Sequence, residues 1–254
     1  MVKFIKNKLI EKFNDSEIIS RKELYDFYKS FEPDLKESTF SWRIYDLKRN
    51  NIIKPIKRSS YIISKKPIFK PLLDNRSLEI ANFIAKRYQD VKFCVWETSW
   101  LNEFSQHLIS KKITIIEAEK DIVESIYYDL RDNFRYDIFI NPDVKSINFY
   151  IAESSEPIVL KNLISRSPLR NYNNEQGGFN IPSLEKILVD IYSDDKLFYF
   201  IQGSEYERIF RNAFEKYVID QTILINYASR RGKKEIIKNL IHNYFNSTEK
   251  VYIK

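Results

Sequence analysis

Ser38–Asn50 reads STFSWRIYDLKRN, and the reading of this stretch decides that of the whole chain. Placed on a helix at roughly 100° per residue, Phe40, Ile44 and Leu47 fall within about 60° of one another. Ser38, Trp42, Tyr45 and Arg49 gather on the opposite side. One face is built to pack; the other carries a hydroxyl, an indole, a phenol and a guanidinium. Burying a Trp or a Tyr is ordinarily worth a few kcal/mol. A helix that leaves both outside is therefore expected to touch an external ligand, unless a second domain covers that face.

The flanking sequence supplies a context for this helix. Ile5, Leu9 and Phe13 repeat every four residues, predicting a short amphipathic helix. Ile18 and Ile19 suit a brief strand, and Ser20-Arg21-Lys22-Glu23 has the Ser-x-x-Glu form of a capping box. Leu24, Phe27, Tyr28 and Phe31 continue at helical spacing until Pro33. Ser38 or Thr39 is then expected to cap the third helix. Beyond it, Ile52–Ile56 and Tyr61–Ser64 flank Lys57-Arg58-Ser59-Ser60 and read as a hairpin with a basic tip. The order helix, strand, helix, helix, hairpin is that of a winged helix-turn-helix, in which the third helix enters the major groove and the wing reaches phosphate or the minor groove. On this reading Ser38, Thr39, Ser41, Trp42 and Tyr45 meet base edges. Lys48, Arg49, Lys57, Arg58 and Ser59 hold the backbone, and Arg43 or Arg49 neutralises Asp46. The alternative is the same fold used only for protein contacts.

Charge divides the chain. Residues 1–70 carry 17 Lys and Arg against 9 Asp and Glu, an excess of eight positive charges, whereas residues 71–254 carry 25 against 26. All of the net +7 thus belongs to the first quarter, the footprint of a basic nucleic-acid-binding module joined to a neutral domain. Hydrophobic residues at 43% and charged residues at 30% exclude a disordered chain. No apolar run approaches the roughly 20 residues of a membrane span, and MVKFIKNKLIEKF lacks a signal-peptide core, so a cytoplasmic location is expected. Cys94 is the only cysteine and His107 and His242 the only histidines, which argues against disulfides, thiolate metal sites and most triad hydrolases.

The remaining chain predicts an α+β architecture. A winged helix-turn-helix over residues 1–66 and a linker over 67–77, marked by Pro67 and Pro71, precede a larger α/β domain over 78–254. Helical spacing from Leu78, a strand at Val91–Glu97, a helix at Trp100–Leu108, a strand at Ile113–Glu117 and a helix at Ile122–Phe134 alternate. Tyr136–Asn141 and Pro157–Ile164 are further strands, Ser165–Pro182 reads as an exposed polar loop, and the chain after it turns helical.

Few residues point to catalysis. Glu185, Asp190, Asp194 and Asp195 form the densest carboxylate group; Asp190 and Asp194, one turn apart, could share magnesium, although a solvated helix end is the commoner explanation. Asp143-Val144-Lys145 and Asp194-Asp195-Lys196 fit the short Asp-x-Lys element of many nucleases without a partner acid. Gly203-Ser204 lacks the Asp-x-Asp that a nucleotidyltransferase needs, and no phosphate-binding glycine loop is present. The sequence therefore points to no cofactor and no metal. Arg230-Arg231-Gly232-Lys233-Lys234 is a basic joint suited to closing one helix; its Arg230, Arg231, Lys233 and Lys234 could also meet a partner or nucleic acid.

Three stretches carry a family resemblance: VWETSWLNEF at Val95–Phe104, IPSLEKILVDIYSDD at Ile181–Asp195 and INYASRRGKKE at Ile225–Glu235. With the basic winged helix, they resemble the AbiEi-type antitoxins of abortive-infection, type IV toxin–antitoxin systems. The resemblance implies a non-enzymatic transcriptional repressor that binds inverted repeats in its own promoter through the winged helix, leaving room for a dimer on the DNA. It also implies a C-terminal domain that counteracts a nucleotidyltransferase-like toxin. A metal-dependent nuclease guided by the winged helix and a one-component regulator with a ligand-sensing domain are the alternatives.

Overall fold

The computed structural model describes residues 2–13, 18–49, 52–57, 59–63, 66–201 and 203–249. The chain is a mixed α/β protein of two units, Met1–Ile68 with Lys216–Val218, and Phe69–Glu215 with Ile219–Lys254. Among the described residues no helix is long and apolar enough to cross a membrane.

The first unit runs α1 (Val2–Phe13), β1 (Ile19–Ser20), α2 (Arg21–Lys29), α3 (Glu37–Arg49), β2 (Ile53–Lys57) and β3 (Ser60–Ile63). The capping box forms: Glu23 N donates to Ser20 Oγ at 3.1 Å, and Ser20 N donates to Glu23 Oε2 at 2.7 Å. The three helices turn Leu9, Leu24, Phe27, Phe40, Ile44 and Leu47 into one core with Ile19, Ile53 and Tyr61. The strands form a small antiparallel sheet in the order β1-β3-β2. Neither Ser38 nor Thr39 caps α3. The helix starts earlier, at Glu37, with Phe40 N donating to the Lys36 carbonyl at 3.0 Å. Leu35 is buried and the Tyr25 hydroxyl donates to its carbonyl at 2.9 Å, which anchors the chain immediately before the first turn.

The second unit is built on a six-stranded mixed sheet in the order β6-β7-β5-β4-β9-β8. Its strands are β4 (Phe93–Glu97), β5 (Thr114–Ala118), β6 (Ile138–Ile140), β7 (Ile158–Asn162), β8 (Leu169–Asn174) and β9 (Gly177–Pro182). The helices α4 (Asn75–Arg87) and α5 (Val123–Asn133) come before β4 and β6, and α6 (Val144–Ser146) continues as a π-helical turn over Ile147–Ile151. After the sheet follow α7 (Leu184–Ser193), α8 (Ser204–Lys216), α9 (Gln221–Arg230) and α10 (Lys234–Glu249). Asp74 caps α4 by accepting from Ser77 N at 2.7 Å, and Phe69 and Leu73 ahead of it are buried.

Two expectations fail here. Ser165–Pro182 is not one exposed loop: from Leu169 it forms the hairpin β8–β9, closed by Glu175-Gln176, in which Tyr172 stacks on Phe179 at 5.1 Å and Phe179 and Ile181 are buried. Trp100–Leu108 is not one α-helix: its first residues belong to a 3-10 helix over Thr98–Glu103, and an irregular segment follows. Side chains take over the backbone bonds there. Ile109 N donates to Asn102 Oδ1 at 2.6 Å, Thr98 Oγ1 to the Lys111 carbonyl at 2.7 Å, and Trp100 Nε1 to the Leu72 carbonyl at 2.8 Å.

Candidate nucleic-acid interface and a buried charge network

The outer side of α3 is laid bare by the same spacing that buries Phe40, Ile44 and Leu47. Trp42 is 66% and Tyr45 58% exposed, and Ser38, Thr39 and Ser41 lie exposed beside them. Among the described side chains two guanidiniums border this surface, and neither is idle. Arg21 donates to Ser41 Oγ at 2.9 Å, pairs with Glu37 at 2.5 Å and lies over the Phe40 ring at 4.8 Å. Its hydrogen bond to Glu37 raises its pKa further. Arg43 is turned back to α2, donating to both carboxylate oxygens of Glu32 at 2.8 and 2.6 Å with its guanidinium 5.0 Å over Tyr28. Burial pushes the Tyr28 phenol up to about 12, with Arg43 pulling the other way. Arg43 therefore braces the helix from behind. The half-buried Lys48 sets its ammonium 5.2 Å over the Tyr61 ring.

The exposed Ser59 forms the hairpin turn at φ 58°, and its carbonyl accepts from Arg21 N at 2.8 Å, tying the β2–β3 tip to the start of α2. The side chains of Arg49 and Lys57, and Arg58 altogether, lie outside the described residues. A groove of roughly 430 Å³ runs along α3, lined by Ser38, Thr39, Trp42, Arg43 and Asp46 with Ile5 and Tyr28. Arg21 and Glu37 were missed from sequence; an acidic residue opening a helix beside a basic one opening its neighbour was the only available signal.

In the second unit, the sheet register sets Lys161, Glu117 and Cys94 side by side on β7, β5 and β4. Lys186 of α7, fully buried, donates to Glu117 Oε1 at 2.5 Å and also pairs with Asp190. Asp190 accepts from the Tyr227 hydroxyl of α9 at 2.8 Å. Arg231 Nε lies 3.3 Å from Asp190 without hydrogen-bond geometry, while its terminal nitrogen donates to Asp194 at 2.5 Å. Lys161 completes the chain by pairing with Asp194.

Three basic side chains thus alternate with three carboxylates in one continuous chain of ion pairs from Glu117 to Lys161. Burial opposes ionisation of Asp194, but Lys161 and Arg231 outweigh it and hold its pKa below the ordinary 3.8. Burial, reinforced by Glu117, keeps the Cys94 thiol protonated.

This network corrects the expectation of a solvated helix end for Glu185, Asp190 and Asp194, whereas Asp195 is exposed. Glu185 and Asp190 are buried, and Glu185 Oε1 accepts from Asp220 N at 2.9 Å. Asp190 and Asp194 are held by protein cations, and Asp143 caps α6 by accepting from Ser146 N at 2.7 Å. Of the basic joint, Arg230 and Lys234 are exposed, Lys233 stands 5.6 Å over the Tyr192 ring, and Arg231 is directed inward. Gly232 at φ 67° makes the left-handed turn between α9 and α10. A sequence signal for the network existed. Lys186 and Asp190 stand one turn apart in a helix whose Leu184, Ile187, Leu188, Val189 and Ile191 surround them with apolar neighbours, and a helix apolar all round is a buried one.

These features define a two-unit α/β protein in which the helix α3 exposes two aromatic side chains and the second unit buries an ionic core. Residues 39–247 match the model of a family of unknown function, DUF6577, and the chain belongs to that family. No curated protein matches its sequence significantly.

Proposed function

We propose that the first unit is a winged helix-turn-helix that binds promoter DNA, and that the protein is a non-enzymatic antitoxin and autorepressor of the AbiEi type. The observation that carries this reading is the joint exposure of Trp42 and Tyr45 on α3, at 66% and 58%, beside three hydroxyl side chains. Supporting it are the element order α1-β1-α2-α3-β2-β3 and the concentration of all net positive charge in residues 1–70. Ser38, Thr39, Ser41, Trp42 and Tyr45 read base edges; Lys48, Arg49 and the hairpin tip meet phosphate. Arg43, committed to Glu32, positions the helix instead of touching DNA.

The antitoxin half of the reading rests on the stretches at 95–104, 181–195 and 225–235. Asp190 of the second stretch bonds Tyr227 of the third, so two of them share one buried network. The double variant Trp42→Ala/Tyr45→Ala is expected to weaken promoter binding at least tenfold in a gel-shift titration, with melting temperature near wild type because both side chains are outside the core. Parallel loss of binding and stability would assign these rings to packing. For the second unit, an adjacent gene encoding a nucleotidyltransferase-like toxin, whose growth arrest co-expression of this chain relieves, is the matching test.

A further inference from the structure

We propose that β8 is a self-pairing edge through which two copies of the chain join their six-stranded sheets. β8 ends the sheet, paired only with β9. The phase of that pairing is fixed by two prolines and a tight turn. Ser183 N donates to the Pro168 carbonyl at 3.0 Å, and Pro182, which has no N–H, stands opposite Leu169. Alternate residues from Pro168 onward, namely Arg170, Tyr172 and Asn174, therefore bond to β9. The N–H and C=O groups of Leu169, Asn171 and Asn173 therefore point off the sheet, on the side where, among the described residues, no strand pairs with β8.

Natural edges are blunted by a proline, a lysine, a bulge or shortness. The opposite edge, β6, is only three residues long. β8 has six residues, pairs without a register shift, and contains neither proline nor lysine.

The edge fits a second copy of itself. Its outward-bonding residues are centred on Asn171, so a two-fold axis there sets Asn171 against Asn171 and Leu169 against Asn173 of the second copy. Every outward N–H then meets an outward C=O. Arg170, the only charged residue of the strand, falls opposite Tyr172 of the second copy, so no like charges meet. Asn171 and Asn173 are exposed and free of apolar commitments. The inference concerns the second unit alone and is independent of the DNA reading.

Sedimentation equilibrium of the full chain without DNA tests it. The wild type is expected at twice the chain mass at micromolar concentration. Asn171→Pro, which removes one outward N–H at a position where an edge strand tolerates proline, should halve that mass with the circular-dichroism spectrum retained. Should the proline prevent folding, Asn171→Lys/Asn173→Lys decides by the same readout. Asn171→Cys is expected to form a disulfide-linked dimer on oxidation, since hydrogen-bonded antiparallel pairs hold their Cα atoms about 5.5 Å apart. Asn173→Cys, opposite a leucine, is expected to form none. A monomeric wild type, a dimer that survives the lysine pair, or equal cross-linking at both cysteines overturns the proposal.

Discussion

Asp194 shows how one residue links the ionic core to solution conditions. Its carboxylate is shared by Lys161 and Arg231, which lower its pKa below the ordinary 3.8 against the opposing effect of burial. A group with a depressed folded pKa contributes stability that is complete above its unfolded value and is lost as pH falls through the folded one. Asp74, paired with Lys112 and capping α4, is depressed as well, against the same opposing burial. The free energy of unfolding is therefore expected to be level near pH 5 and to fall below about pH 4. Asp194→Asn should flatten part of that fall while lowering stability at neutral pH. Urea titrations of both proteins across this range measure it, and identical slopes would mean that the pairing contributes nothing.

At the scale of elements, α2 is the most explicit in sequence because its start is chemically encoded. Ser20 and Glu23 satisfy each other's backbone amides, and Ser20→Ala is expected to cost about 1 kcal/mol by urea unfolding of the first unit. The core-facing spacing of α1, α2 and α3 was legible for the related reason that local periodicity writes it. The hairpin β8–β9 was not. Apart from Leu169 and Tyr172, its first strand is polar, and its turn residues Glu175-Gln176 carry none of the Asn-Gly signature that announces a hairpin. The ionic core was legible only in its Lys186–Asp190 turn. Glu117 and Lys161 join it through sheet register, across 69 residues in the case of Glu117, and no local pattern records such a meeting. On α3 the exposed aromatics were readable one by one, but the capture of Arg43 by Glu32 and of Arg21 by Glu37 required the tertiary arrangement.

For the molecule as a whole, the two units have different physical characters. One concentrates positive charge around a small apolar core; the other is close to neutral, with 25 Lys and Arg against 26 Asp and Glu over residues 71–254, and encloses its own ion pairs. Such a division suits a chain in which one part is drawn to a polyanion and the other is free to engage something else.

The placement of Cys94 gives this chain a built-in chemical clock. It is the only sulfhydryl in the sequence, it is fully enclosed beside Glu117 in the middle of the sheet, and its proton is held tightly there. An alkylating reagent can reach it only when β4 separates from its neighbours. The rate at which iodoacetamide adds a single mass increment should therefore report opening of the second unit, unaffected by changes confined to α3. Trp42→Ala/Tyr45→Ala is expected to label at the wild-type rate, whereas Asp194→Asn is expected to label faster.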